Sequence, residues 1–360
     1  MHAAMCVAKV VSSILLDKKI SWSFDQHIYR KRLFTIMVHS LWQQFPAINQ
    51  QLIELSEYLK STVRSGNTEI DQQVSDLLTS GGKFLRPGLF YMFAQLGPDQ
   101  NKRQQRAAAA AIELLHVATL IHDDVLDNAD RRHGQTTLQV RHGNRTAIYT
   151  GDFLFTSYFD EILQATDNQT DVQTANNIMK TILAGELNQL ALNFDETTSV
   201  TDYLKEIEGK TAELFGFAMQ FGVIISHGDT QTRLKAQQIG IALGMAYQIR
   251  DDILDFVADP STSSKPVRHD IREGVYTLPL ILAIQQDPKW FADHLQNTQK
   301  LSDAELLSVN KRVLDLDGPA LAEQLAQQYT QSALQLIATL PAPLSRDLAR
   351  LIQQLLVRHA

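Results

Sequence analysis

The amino-acid sequence predicts an all-α protein, a single large helical bundle around a central cavity, and three observations carry that prediction. From Pro46 onward, segment after segment places apolar residues at i, i+3, i+4 and i+7. Few stretches alternate as strands do. The ten prolines and seventeen glycines fall mainly at junctions: Gly81-Gly82, Gly97-Pro98, Gly228-Asp229, Pro260 to Pro266 and Pro341 to Pro343.

In chain order, "INQQLIELSEYLKSTV" and "EIDQQVSDLLTSGG" each allow one apolar stripe. "RAAAAAIELLHVATLI" is apolar almost all round, which makes it a central helix with its acidic end turned to a shared cavity. "TANNIMKTILAGELNQLAL", "TDYLKEIEGKTAELFGFAMQFGVII" and "RLKAQQIGIALGMAYQIRDDILDFV" continue the helical period, with no tandem repeat or low-complexity linker. Ahead of them, "DKKISWSFDQHIYRKRLFTI" has no sustained period, and "AAMCVAKVVSSILL" lacks the basic region and cleavage site of a signal peptide. Residues 1–36 are therefore expected to be an appendage, and 37–360 the all-α domain.

A hydrophobic content of 44% is ample for a large core, and a net charge of −7 without a basic stripe argues against a nucleic-acid partner. Cys6 is the only cysteine, so an intrachain disulfide is excluded and a reducing, cytoplasmic setting is expected. No apolar run reaches the roughly 20 residues of a membrane span.

The chemistry concentrates in two acidic motifs. "IHDDVLDNADRR" carries Asp123, Asp124 and Asp127, and "GMAYQIRDDILDFVAD" repeats the D-D-x-x-D spacing with Asp251, Asp252 and Asp255. On a helix, Asp123 and Asp127 lie about 40° apart, so each motif crowds like charge on one face. Such pairs cost a few tenths of a kcal/mol each, and a cation is needed to offset them. Neither copy fits a Ca²⁺ loop, and no His/Cys cluster has zinc spacing. Carboxylates on two helices suit Mg²⁺, which takes one or two per ion and completes its shell with waters and phosphate oxygens. The expected ligand is a phosphorylated molecule between two acidic walls. Positive charge comes from Lys83 and Arg86 in "SGGKFLRPGLF", Lys210 beside Thr211 in "EGKTAELFG", and Lys265, Arg268 and Arg272 in "STSSKPVRHDIREGVYTLPLI".

With these residues in order, the sequence resembles the trans-type isoprenyl diphosphate synthases from about Ser80 to Ile281, more than half of the chain. The resemblance implies the isoprenoid-synthase fold and Mg²⁺-dependent sequential 1'-4 condensation of isopentenyl diphosphate with an allylic diphosphate. It implies that Asp123, Asp124, Asp127, Asp251, Asp252 and Asp255 hold several Mg²⁺ ions, with Asp123, Asp124, Asp127, Asp251 and Lys210 central to catalysis. Lys83, Arg86 and His116 would bind the diphosphate of isopentenyl diphosphate; Lys210, Thr211 and Gln248 would touch the allylic diphosphate, and Lys265 would close over it. The family's Arg-Arg pair is read as Arg131 and Arg132, or as Arg132 and His133, and which diphosphate each serves stays open. Val275, where many relatives have lysine, and Ser264, where glycine is usual, are further departures.

The residues five and four before Asp123 are Ala118 and Thr119, both small, whereas related enzymes with short products tend to carry aromatics there. A tunnel open past the first turn is expected, with a product longer than C20 and a floor from Leu115, Leu114, Ile112, Phe153 or Phe155. A geranylgeranyl or farnesyl diphosphate synthase is the alternative. A homodimer is expected, or the catalytic subunit of a heteromeric synthase, handing its product to a membrane. The second motif and "GGKFLRP" speak against a terpene cyclase, and two intact motifs speak against a non-catalytic partner subunit.

Overall fold

A computed structural model describes residues 39–80, 82–132, 134–257, 269–296 and 298–356. The expected appendage, His133, Ser264, Lys265 and Arg268 lie outside the described residues. Helix follows helix: α1 (Pro46–Thr62), α2 (Thr68–Ser80), α3 (Leu85–Ala94), α4 (Lys102–Leu126), α5 (Leu138–His142), α6 (Asn144–Ala165), α7 (Gln169–Leu192), α8 (Val200–Ile207), α9 (Glu213–Ile225), α10 (Thr230–Val257), α11 (His269–Arg272), α12 (Leu278–Gln286), α13 (Pro288–His294), α14 (Asp303–Asp315), α15 (Gly318–Ile337) and α16 (Leu344–Leu356). A π-helical segment, Glu208–Ala212, joins α8 to α9.

Local sequence explains the starts. Asn101 accepts from the Arg103 and Gln104 N–H groups to begin α4, and Asn168 does the same for Thr170 and Asp171 at α7. Ser199 and Asp202 form a reciprocal capping box on α8.

The alanine-rich run makes α4 the central rod: Ala107 to Leu115 are buried without interruption, with Val117, Ala118 and Ile121 beyond. Helix α6 packs along it closely because Gly151 has no Cβ; the His122 ring occupies that place. On the other side α10 lies against α9 and α15. Arg250 of α10 and Glu323 of α15 pair through two guanidinium nitrogens, the shortest contact being 2.6 Å. A second apolar centre, with Tyr203, Met245, Ile249, Phe256, Leu278 and Ile281, packs α8, α10 and α12 together.

One departure from pure helix matters for the site. Arg131–Arg132 pairs antiparallel with Gln135–Thr136, Arg132 opposite Gln135. This short hairpin turns the chain back just after the first Asp motif and brings the Arg132 guanidinium to Asp124.

Candidate active site

The ends of α4, α7, α8 and α10, with the π segment and residues 270–277, enclose a cavity of about 340 Å³. Helix α4 contributes His116, Thr119, Leu120, Asp123 and Asp127, and α10 contributes Tyr247, Gln248, Asp251, Asp252 and Asp255. The two motifs that the sequence separates by more than a hundred residues thus border one space.

The six aspartates do not play equivalent parts. Asp123, Asp127, Asp251 and Asp255 line the cavity. Asp124 does not: it is buried, and its Oδ1 accepts from Arg132 Nε at 2.8 Å and Nη2 at 2.7 Å. Asp252 reaches the cavity wall, but Tyr203 donates its hydroxyl to Oδ2 at 2.6 Å and Gln248 Nε2 donates to Oδ1 at 2.8 Å. Of the six aspartates expected to hold metal, five therefore border the cavity and Asp124 is set back from it. Each second carboxylate of D-D-x-x-D has side-chain donors of its own, Arg132 for Asp124 and Tyr203 with Gln248 for Asp252.

Among the expected cationic and polar contacts, Arg86, His116, Arg132, Lys210, Thr211 and Gln248 line the cavity. Arg86 Nη1 lies 3.1 Å from His116 Nε2, and its guanidinium covers the Phe215 ring at 4.6 Å. Thr211 donates to Gln248 Oε1 at 2.8 Å, which ties the π segment to the Gln248–Asp252–Tyr203 chain. Lys83 and Arg131 are not brought to the cavity: Arg131 is exposed on the hairpin, and Lys83 is half-buried ahead of α3, where its carbonyl accepts from Trp42 Nε1 at 2.6 Å. Of the two described candidates for the arginine pair, Arg132 borders the cavity and Arg131 does not.

Thr119 is on the wall, with its hydroxyl donated to the His116 carbonyl at 2.8 Å. Ala118 is not; it is fully buried, as are Leu115, Leu114 and Ile112 below it. Thr119, Leu120, Ile182 and Leu214 form the apolar end, and the turn beneath is closely packed rather than open. Phe153 and Phe155 of α6 are half-exposed and do not reach it.

Charge is lopsided. Glu186, Glu206, Asp270 and Glu273 add to the aspartates, against the cations Arg86, Arg132 and Lys210. Burial, with Glu186 and Asp127 nearby, pushes Asp123 up to about 7 despite Lys210 and Arg132. Burial likewise lifts Glu206 to about 7 and Asp252 to about 8, the latter against its hydrogen bonds from Tyr203 and Gln248. For Lys210, burial works against the ammonium, but Asp123, Glu186 and Asp127 outweigh it and hold its pKa above the ordinary value. A wall of desolvated carboxylates favours a multivalent cation. Carboxylate oxygens on two helices suit an ion that keeps waters and phosphate oxygens in its shell.

Compared with known proteins, residues 67–313 match the family model described as Polyprenyl synthetase. The chain belongs to that family. It is a prenyltransferase, as its curated relatives are. It is 29% identical over 305 residues to heptaprenyl diphosphate synthase component 2 of Bacillus subtilis, spanning 83% of this chain and 85% of that protein. It is also 29% identical over 316 residues to nonaprenyl diphosphate synthase of Mycobacterium tuberculosis, spanning 87% and 94%. The crystal structure of geranylgeranyl pyrophosphate synthase from Lactobacillus brevis superposes with a TM-score of 0.85 at 44% identity, over 89% of this chain and 99% of that one.

Sequence reading of this prenyltransferase missed several wall residues: Glu186, Gln189, Tyr203, Glu206, Asp270 and Glu273. A signal existed for the first two. In "TILAGELNQLAL", Ile182, Glu186 and Gln189 stand at i, i+4 and i+7, so polar groups continue an apolar inward stripe. Tyr203 carried no such mark; only the fold shows that its hydroxyl ends on Asp252.

Proposed function

We propose that the cavity elongates an allylic diphosphate with isopentenyl diphosphate by sequential 1'-4 condensation. The observation that carries this reading is one cavity bordered by both Asp motifs and, on α3 and α4, by the separate Arg86–His116 pair. Asp123, Asp127, Asp251 and Asp255 are the residues that would hold Mg²⁺, which when bound neutralises charge developing on the leaving diphosphate. Lys210, with Thr211 and Gln248 beside it, contacts the allylic diphosphate, and Arg86 with His116 holds that of isopentenyl diphosphate. Two anion sites keep donor and acceptor apart yet adjacent, which supplies the proximity contribution. Thr119, Leu120, Ile182 and Leu214 shield the allylic cation from water. The departing diphosphate takes the proton that leaves as the new alkene forms. Asp124 and Asp252 are assigned as braces, and Lys83 and Arg131 receive no binding role from this geometry.

Small Thr119 at the apolar end, together with relatives named for heptaprenyl and nonaprenyl products, supports a product beyond C20. The packed turn below Thr119 and the Lactobacillus enzyme named for geranylgeranyl pyrophosphate favour C20 as the second reading. Among the described residues no helix is long and apolar enough to cross a membrane. Exposed Ile148, Tyr149 and Leu163 on α6 support a homodimer, and the Bacillus relative's name, component 2, keeps a heteromer as the alternative. Radiolabelled isopentenyl diphosphate with dimethylallyl, geranyl or farnesyl diphosphate, with Mg²⁺ or EDTA, followed by product sizing, tests the proposal. Mg²⁺-dependent products longer than the primer are expected; absence of product with every primer overturns it.

A further inference from the structure

We infer that Glu186 and Gln189 of α7 are positioning residues that fix the Lys210 ammonium within the cavity; this rests on reading Lys210 as an allylic-diphosphate contact. Lys210 Nζ lies 3.0 Å from Glu186 Oε2 and donates to Gln189 Oε1 at 2.7 Å. An ammonium has three donors. Those two bonds use two of them and leave the third for a diphosphate oxygen.

Lysine needs such a holder here. Its stem is flexible, and its head is a compact charge that pairs with whatever carboxylate is in reach. Asp123 and Asp127 both act on it electrostatically. Unheld, the ammonium swings onto one of them and neutralises the wall instead of meeting substrate. Two acceptors one turn apart on a rigid helix define where it sits.

The backbone is built for this meeting. A methyl group on Gly185 would stand 2.9 Å from the Lys210 backbone nitrogen, and one on Gly209 would stand 3.3 Å from the Gly185 Cα. Two glycines therefore let α7 and the π segment touch backbone to backbone. The residue after each glycine, Glu186 on one side and Lys210 on the other, then meet. The π segment itself is the kind of single-turn irregularity that recurs at functional sites.

The test is steady-state kinetics with primer and isopentenyl diphosphate varied separately, on Glu186→Ala, Glu186→Gln, Gln189→Ala, Lys210→Ala and the Glu186→Ala/Lys210→Ala double variant. Glu186→Ala is expected to raise the Michaelis constant for the primer about tenfold, as loss of a charge-assisted hydrogen bond would, while that for isopentenyl diphosphate stays within about twofold. Gln189→Ala shifts the same constant by less. Glu186→Gln, which keeps an acceptor, recovers most of the loss, and the double variant is no worse than Lys210→Ala alone. Equal changes in both Michaelis constants, no rescue by Gln, or full additivity in the double variant would overturn the inference. Lys210→Ala with an unchanged primer constant would instead overturn the allylic-site reading, and this inference with it.

Discussion

The first Asp motif closes a helix and the second lies within one. Asp127 caps α4, its N–H bonded to the Asp123 carbonyl, and the chain at once enters the hairpin that returns Arg132 to Asp124. Asp251, Asp252 and Asp255 sit on the continuous α10, where Asp252 is braced by neutral donors, Tyr203 from α8 and Gln248 from one turn earlier. One spacing therefore has two supports, a cation in the first copy and a phenol with an amide in the second. In both, the second carboxylate is held by side-chain donors, and Asp252, unlike Asp124, also lines the cavity. The difference predicts that equivalent substitutions act unequally in the two motifs.

The largest effect belongs to an outward-facing ligand. Asp123→Asn should lower kcat by at least about 10²–10³-fold, the scale of removing one preorganised electrostatic contact, with the metal-free melting temperature held or raised because a desolvated charge is gone. Near-normal turnover at saturating Mg²⁺ would remove Asp123 from the metal-holding set.

Next come the braces, read by denaturant unfolding. Asp124→Asn leaves the Arg132 guanidinium without its counter-ion in a mostly buried place, a change that costs about 3–5 kcal/mol. Asp252→Asn keeps a hydrogen-bonding group for both Tyr203 and Gln248 and should cost about 1 kcal/mol or less. Equal losses would mean that the two supports are equivalent after all.

A pH series sharpens the same contrast. Asp252 has an ordinary value of 3.8 and is raised to about 8 in the fold, chiefly by burial. Between those values the folded chain keeps a proton that the unfolded chain has released, so metal-free stability should fall as pH rises from about 4 to about 8. Asp123, raised to about 7, adds to the same slope. Asp252→Asn should flatten the curve in part, and Mg²⁺ with inorganic diphosphate should offset the loss at the upper end. A melting temperature that rises across this window without metal would contradict the burial of these carboxylates.

The smallest expected effect is at the Arg86–His116 pair. His116→Ala removes the partner of Arg86 and should raise the Michaelis constant for isopentenyl diphosphate about tenfold, with the primer constant little changed. The reverse preference would exchange the two anion sites.

Helical periodicity made the bundle legible, and the doubled D-D-x-x-D spacing marked the cavity, because both are repeats within one helix. What escaped were relations between elements. Nothing in "DNADRRHGQTT" shows that a hairpin delivers Arg132 to Asp124, and nothing in "VTDYLKEI" shows where the Tyr203 hydroxyl ends. Ala118 illustrates the same limit: its place five residues before Asp123 suggested the cavity wall, but the fold buries it fully. Glu186 and Gln189 were readable in principle, as polar breaks in an inward stripe, but their partner Lys210 lies on another helix.

The central claim is that neighbours on one helix divide the work, one facing the reaction and one holding the scaffold. Turnover of Asp251→Asn and Asp252→Asn, measured side by side at saturating Mg²⁺ and both substrates, tests it most directly. The account predicts a loss of at least about 10²-fold for Asp251→Asn and less than about tenfold for Asp252→Asn, with both variants folded. Equal losses, or a larger loss at Asp252, would contradict it.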